Sequence, residues 1–219
     1  MTTVSICTYA SPLGGVLLSA DELGLTGLWF DGQKYFGTNL PAEPVRQETA
    51  ILTETKRWLD VYFSGREPDF LPPLHPIGSP FRRAVWDLLL QIPYGQTTTY
   101  GALARRLAAQ QGRATMSAQA VGSAVGHNEI SILIPCHRVV GTNGSLTGYA
   151  GGVDKKERLL TLEGVDMRGL FRPTKGTGFS EIRRCCTAQG PAFLFLSFPV
   201  PQRHRCSCSG ETGRAAFCR

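Results

Sequence analysis

Residues 132–141, Ile132-Leu133-Ile134-Pro135-Cys136-His137-Arg138-Val139-Val140-Gly141 (ILIPCHRVVG), place a cysteine beside a histidine between two short apolar runs. A thiol attacks only as thiolate, and its ordinary pKa of ~8.5 leaves little of that form at neutral pH. A neighbouring base, itself held by a third group, overcomes this. His137 is adjacent, yet neighbours on an extended strand point to opposite faces. Contact with Cys136 therefore requires a bend or a bridging water, and Pro135 interrupts the strand where a bend is needed. The third group, a carboxylate, has a candidate in Glu163 at the end of the helical stretch Leu159-Leu160-Thr161-Leu162. A surface glutamate before the Gly164 cap is the plainer reading of that position.

Outward from this stretch the chain divides in three, and the expected fold class is α+β. Residues 1–78 read as a small α+β domain. The β-rich runs Gly15–Ser19 and Leu25–Phe30 make a hairpin. Ile51, Leu52, Thr55, Trp58, Leu59 and Tyr62 then share one face of a helix over 47–63. Five prolines in residues 66–80 mark a linker. Residues 79–170 open with Ser79-Pro80, a helix cap and a first-turn proline. They continue through a helix over 100–109 and the small-residue run Ser117–Gly126. Two short helices with a brief turn outline a helix-turn-helix in a helical, winged-helix-like domain. Residues 171–219 lack helical or strand periodicity and read as a disordered, basic, Cys-rich tail.

Charge and cysteine usage narrow the function classes. Residues 79–140 carry 6 Lys/Arg against 2 Asp/Glu, whereas residues 1–78 carry 5 against 9, so positive charge gathers on the segment leading to Cys136. A local basic face suits phosphate docking; solvated surface charge is the bland alternative. Five of the seven cysteines lie in the last 35 residues, leaving Cys7 and Cys136 in the body. Two body cysteines and no secretory or membrane-spanning stretch point to reducing cytoplasm. The small residues around Ala118, Ala120 and Gly122 explain either close helix packing or entry into a narrow minor groove.

The run Ile134-Pro135-Cys136-His137-Arg138-Val139-Val140, with Gly148-Tyr149-Ala150-Gly151-Gly152 and Leu162-Glu163-Gly164 beyond it, resembles the O6-alkylguanine-DNA alkyltransferases. The resemblance spans residues 79–167, and Ser11-Pro12-Leu13-Gly14 extends it into the N-terminal domain. It implies repair by direct reversal, with the alkyl group of O6-alkylguanine (or O4-alkylthymine) passed irreversibly to Cys136 in one turnover. It implies that His137 is the base acting through a water, that Glu163 orients it, and that Asn128 hinges the recognition helix onto an active-site strand. Tyr100, Gln119, Ala118, Ala120, Gly122 and Arg138 are then the DNA-binding residues, with Tyr100 pressing on a phosphate. Val125, Val139, Tyr149 and Ala150 line the guanine pocket. The implied partner is alkylated double-stranded DNA, bound by a monomer with no cofactor, no obligate protein partner and no membrane.

Two departures from the family pattern stand out. Gln119 occupies the place of an arginine that fills the gap left by the flipped base. Asp21 and Thr26 stand where some relatives carry zinc ligands, so His75 has no partners for a metal and none is expected. The turn from Gln110 to Met116 is also longer than in some relatives. Two rival readings are a non-catalytic binder of alkylated DNA and a Cys-His-Glu thiol hydrolase or transferase of small molecules. Cys136 itself argues against the first, and the small-residue helix with its basic segment against the second.

Overall fold

The computed structural model describes residues 3–173. Three antiparallel strands and one short parallel strand form the first sheet, in the order β3-β2-β1-β4: β1 Ser5–Ser11, β2 Gly14–Ala20, β3 Leu25–Phe30 and β4 Val45–Arg46. The expected β2–β3 hairpin forms, and β1 is an additional strand. Its sequence, SICTYAS, lacks a clean alternation of hydrophobicity, and of its residues only Ser5 and Ile6 are buried. Ser11-Pro12-Leu13-Gly14 is the β1–β2 turn, with Gly14 at a φ of +112° that favours glycine. Helix α1, Ala50–Phe63, is capped by the Thr49 hydroxyl and buries Leu52, Thr55, Trp58, Leu59 and Tyr62.

The second half of the described chain is helical. Helix α2, Pro80–Leu89, starts at the Ser79 cap with proline in its first turn. Strand β5, Thr98–Thr99, pairs in parallel with β6, Val139–Val140, and leads into α3, Tyr100–Gln110. Helix α4, Ala118–Gly126, is capped by Ser117, and α5 spans Val153–Leu162. In α4, Val121, Ala124 and Val125 face the core, and the Trp86 indole donates to Ala124 O at 2.9 Å. Ala118 and Gln119 are exposed on its first turn.

Every residue of β3 is buried because both of its edges are covered. One edge pairs with β2. Along the other, Leu25 bonds with residues 73–75, the Leu28 amide donates to Glu129 O at 2.8 Å, and the Ser131 amide donates to Leu28 O. An uncovered strand edge would expose unpaired backbone groups. The Trp29 ring lies across Gly27, where an added Cβ would come within 1.9 Å of it, so glycine is required there. Its indole donates to Glu129 Oε2 and the Thr38 hydroxyl to Glu129 Oε1, both at 2.7 Å. One apolar cluster runs from Val16 and Leu28 through Leu59 and Tyr62 to Val125, Ile134 and Cys136.

Two sequence expectations are corrected. Residues 130–136 are not an extended active-site strand. They form an irregular turn whose Ile132 has a φ of +69°, and Cys136–Arg138 closes as a single 3-10 turn. Proline before Cys136 leaves the backbone without a ladder donor, and Asn128 holds the turn instead. The expected tail boundary at 170 also moves, because Phe171 N bonds Gly144 O and Leu146 N bonds Phe171 O. Arg172 joins Asp154 and Glu157. Beyond residue 173 the tail lies outside the described residues.

Replacing Trp29 with phenylalanine removes one of the two side-chain donors that hold the buried Glu129 carboxylate. The expected cost is about 1–3 kcal/mol in urea denaturation, the range for stranding a buried polar partner. An unchanged midpoint would show that the Trp29–Glu129 bond contributes nothing to the junction.

Candidate active site

Four loops and helix ends converge on Cys136. Asn128, just past the end of α4, shares its amide protons among Ile130 O (3.2 Å), Ile134 O (2.8 Å) and Cys136 Sγ (3.1 Å). Its own Oδ1 accepts from Ile130 N at 3.0 Å. Asn128 therefore fixes the turn and directs an N–H at the sulfur in one stroke. Cys136 is only 4% exposed, and burial pushes its thiol above the ordinary value, with the Asn128 bond and the Lys156 charge opposing that rise. The resting group is a protonated thiol that needs a base.

His137 is the next residue in the chain. His137 is fully buried, and its Nε2 lies 2.7 Å from Glu163 Oε1. The ionised carboxylate only accepts, so Nε2 carries the proton and Nδ1 keeps a lone pair. Nδ1 has no hydrogen-bond partner among the described residues. Burial lowers the His137 pKa below its usual value, against the pull of Glu163, so the neutral imidazole is favoured.

Glu163 caps α5 and is itself buried. Burial alone would raise its pKa, but the bonds from His137 and Arg138 outweigh that and hold it at about 2. Arg138 donates Nε to Oε2 at 2.8 Å and Nη2 to Oε1 at 3.0 Å. The Gly95 amide reaches Oε2 at 3.3 Å, and the Tyr62 hydroxyl donates to Oε1 at 2.7 Å. The guanidinium keeps the carboxylate charged whether or not His137 is protonated.

Arg138, expected as a DNA contact, is placed inside the site and held by Glu163. It is 9% exposed, and its remaining nitrogen, Nη1, donates to Ile92 O at 2.6 Å. A basic residue beside the motif read as surface charge; its proximity to a buried carboxylate is what places it inside. Tyr62 and Lys156 were not expected in the site at all. Tyr62 reads as one more apolar position on α1, and no local signal separates it from Leu59. Lys156 is fully buried and donates to Val139 O and Thr147 O (3.0 Å), with burial lowering its pKa to about 8. A lysine at an i, i+3 offset from buried Leu159, on the inner face of α5, was the available signal.

The other expected residues form a wall. Tyr100 donates to Thr147 O at 3.1 Å, and its ring packs between Gly122 and Gly148, where added Cβ atoms would lie 3.5 and 2.3 Å from it. At Gly122 an added Cβ would meet the Tyr100 ring at ordinary contact distance, whereas at Gly148 it would clash with the hydroxyl. Val125 and Val139 are buried, and Tyr149 sets its ring edge-on to His137 at 6.3 Å. Ala150 accepts from the Lys34 amide at 3.1 Å. Ala118, Gln119 and Ala120 lie apart from the thiol on the first turn of α4. A cleft of about 510 Å³ lined by Trp58, Phe70, Tyr94, Pro135 and Arg138 does not include the Cys136 thiol among its walls. At the expected vestige of a metal site, Asp21 Oδ2 and His75 Nδ1 are 2.6 Å apart, and Thr26 bonds Ser19. No helix among the described residues is long and apolar enough to cross a membrane.

The chain is similar to known proteins. Residues 80–165 match the family described as 6-O-methylguanine DNA methyltransferase, DNA binding domain, and residues 6–76 its ribonuclease-like domain. A methylated-DNA--protein-cysteine methyltransferase of Methanosarcina acetivorans is 43% identical over 157 residues, covering 71% of this chain and 96% of that protein. One from Haemophilus influenzae is 36% identical over 75% of this chain and 89% of its own. Mycobacterium tuberculosis OGT in complex with DNA superposes with a TM-score of 0.63 at 36% identity, covering 73% of this chain and 92% of that one. The chain belongs to the 6-O-methylguanine DNA methyltransferase family.

Glu163 makes stability pH-dependent in a defined window. Its folded pKa, about 2, lies below the ordinary 4.5. The stabilisation is therefore complete above pH 4.5 and lost as pH falls toward 2. Urea midpoints measured across this range should fall for the native protein and flatten for Glu163→Gln. Parallel curves would assign the acid sensitivity elsewhere.

Proposed function

We propose that this protein repairs DNA by moving the alkyl group of O6-alkylguanine onto Cys136, once per molecule. The observation that carries the reading is the buried Cys136 sulfur, held by Asn128 at 3.1 Å and followed by a histidine locked to Glu163 at 2.7 Å. Family membership and the likeness to a DNA-bound relative support the same assignment. Residues 79–173 form the DNA-binding and reacting domain, and residues 1–78 the domain that braces it.

The chemistry follows from these groups. His137 Nδ1 takes the Cys136 proton through one bridging water, since Nε2 is committed to Glu163. The Asn128 N–H stabilises the charge that develops on sulfur. The thiolate attacks the alkyl carbon; the carbon–sulfur bond forms as the carbon–O6 bond breaks. The electron pair returns to guanine, which takes up one proton to balance the one removed from the thiol. The thioether has no hydrolysable bond, so the protein is consumed. O4-alkylthymine presents the same carbon–oxygen bond and is a second substrate. No step calls for a cofactor.

The target base must leave the duplex to reach a thiol this buried, at a cost of a few kcal/mol. The first turn of α4, with Ala118, Gln119 and Ala120, is narrow enough for a minor groove, and Gln119 is exposed where a side chain can enter the vacated stack. Arg105, Arg106 and Arg113, all exposed, supply phosphate attraction around it. Val125, Val139, Tyr149 and Ala150 receive the base, and Tyr100 presses on its phosphate. The protein acts as a monomer in the cytoplasm without an obligate protein partner.

Incubation with a duplex carrying methyl-labelled O6-methylguanine should place one label per molecule on the Cys136 peptide. Cys136→Ser should take none yet keep its duplex affinity, because the sulfur is not a phosphate contact. Protein without label, or label on another residue, would overturn the reading.

Gln119→Arg should tighten duplex binding and steepen its salt dependence by about one in log–log slope, the value for one added phosphate contact. Transfer from free O6-alkylguanine should change little, since no base is flipped. Equal effects on free base and duplex would remove Gln119 from the intercalating position.

A further inference from the structure

Tyr62 enters the site from the N-terminal half of the chain. Its ring is fixed in the last turn of α1, stacked on Trp58 at 5.2 Å and edge-on to Phe63 and Tyr94 at 5.4 and 6.1 Å. The hydroxyl stands 2.7 Å from Glu163 Oε1 and 3.5 Å from His137 Nε2. Nε2 already carries a proton aimed at Oε1, so the hydroxyl proton also goes to Oε1. That single oxygen thus receives donors from Tyr62, His137 and Arg138, while Oε2 receives Arg138 and Gly95.

A buried tyrosine needs some hydrogen-bond partner, and packing alone would explain the ring. The choice of acceptor is what carries further meaning. A carboxylate strengthens a histidine base by holding its N–H, and every other donor on the same oxygen drains charge from that bond. We propose that Tyr62 is a positioning residue for alkyl transfer, its hydroxyl sharing Glu163 Oε1 with His137 and thereby setting the orientation and basicity of the imidazole. The proposal rests on the alkyl-transfer reading for its consequence and on geometry alone for its cause.

The groups facing His137 are few. Tyr62 comes from α1. Cys136 and Arg138 share its own turn, Tyr149 precedes α5, and Lys156 and Glu163 belong to or cap α5. Glu163 is the acid that favours protonation of His137, and Arg138 and Lys156 oppose it. A change in the charge available on Oε1 therefore reaches His137 directly.

Tyr62→Phe keeps the ring and deletes the hydroxyl. Titration of His137 by nitrogen-15 NMR should then show its midpoint raised by about one unit, the scale on which a hydrogen bond alters such a couple. The acid limb of transfer from O6-methylguanine duplex should move with it, so that transfer well below the wild-type midpoint falls about tenfold. Iodoacetamide alkylation of Cys136 should follow the same displaced limb. Replacing Tyr62 with 3-fluorotyrosine, a stronger donor, should move the midpoint the other way. In a Glu163→Gln background, Tyr62→Phe should leave the His137 midpoint in place, because the path runs through the carboxylate. A His137 midpoint unmoved by both Tyr62 variants would reduce Tyr62 to a packing residue. Failure of the wild-type protein to accept any methyl group would instead defeat the alkyl-transfer reading, and the NMR and iodoacetamide arms would still decide the role of Tyr62.

Discussion

The Glu163 carboxylate is the point on which the site hangs. It is buried at the end of α5, and it persists as an anion because five donors surround it: two from Arg138, and one each from His137, Tyr62 and Gly95. A buried charge without such partners would neutralise itself or unfold its surroundings. With them, it fixes the histidine tautomer, aligns the 3-10 turn that carries Cys136, and joins α1 to α5. The ion pair with Arg138 explains why the turn tolerates a charged residue directly after the base.

Asn128 plays the complementary part on the other side of the sulfur. The segment from Ile130 to Cys136 makes no ladder, and Ile132 adopts a backbone conformation that costs a β-branched residue about 1–3 kcal/mol. The side-chain amide of Asn128 supplies the bonds a strand neighbour would have given. The same amide also directs an N–H at the Cys136 sulfur. Structural repair of an irregular turn and polarisation of a thiol are here one set of hydrogen bonds.

Much of this was legible in the sequence, and the residues that were not share a cause. Cys136 and His137 stand out by adjacency, and the helix cap at Ser79 by local chemistry. The pattern around Glu163 makes it only a candidate, with a surface glutamate the plainer reading, and it is the family resemblance that gives it the role of orienting His137. Arg138 was misplaced because sequence shows the charge of an arginine but not the carboxylate 25 positions away that draws it inward. Tyr62 was invisible for the same reason: its partner is 101 residues downstream. The strand expected at Cys136 failed because apolar β-branched residues fit a tight buried turn as well as a strand. Strand β1 escaped notice because it alternates in exposure without alternating in hydrophobicity.

The separation of these partners bears on how the chain acquires its reactivity. Cys136 precedes Glu163 by 27 residues in the sequence and follows Tyr62 by 74, so the assembly around Glu163 is made of contacts that close late. Contacts between distant positions form only after the loop-closure cost between them has been met. A nascent chain that has exposed Cys136 but not yet α5 carries an ordinary thiol beside an unoriented imidazole. The hold of Glu163 on His137 therefore arises only once α5 has joined the fold.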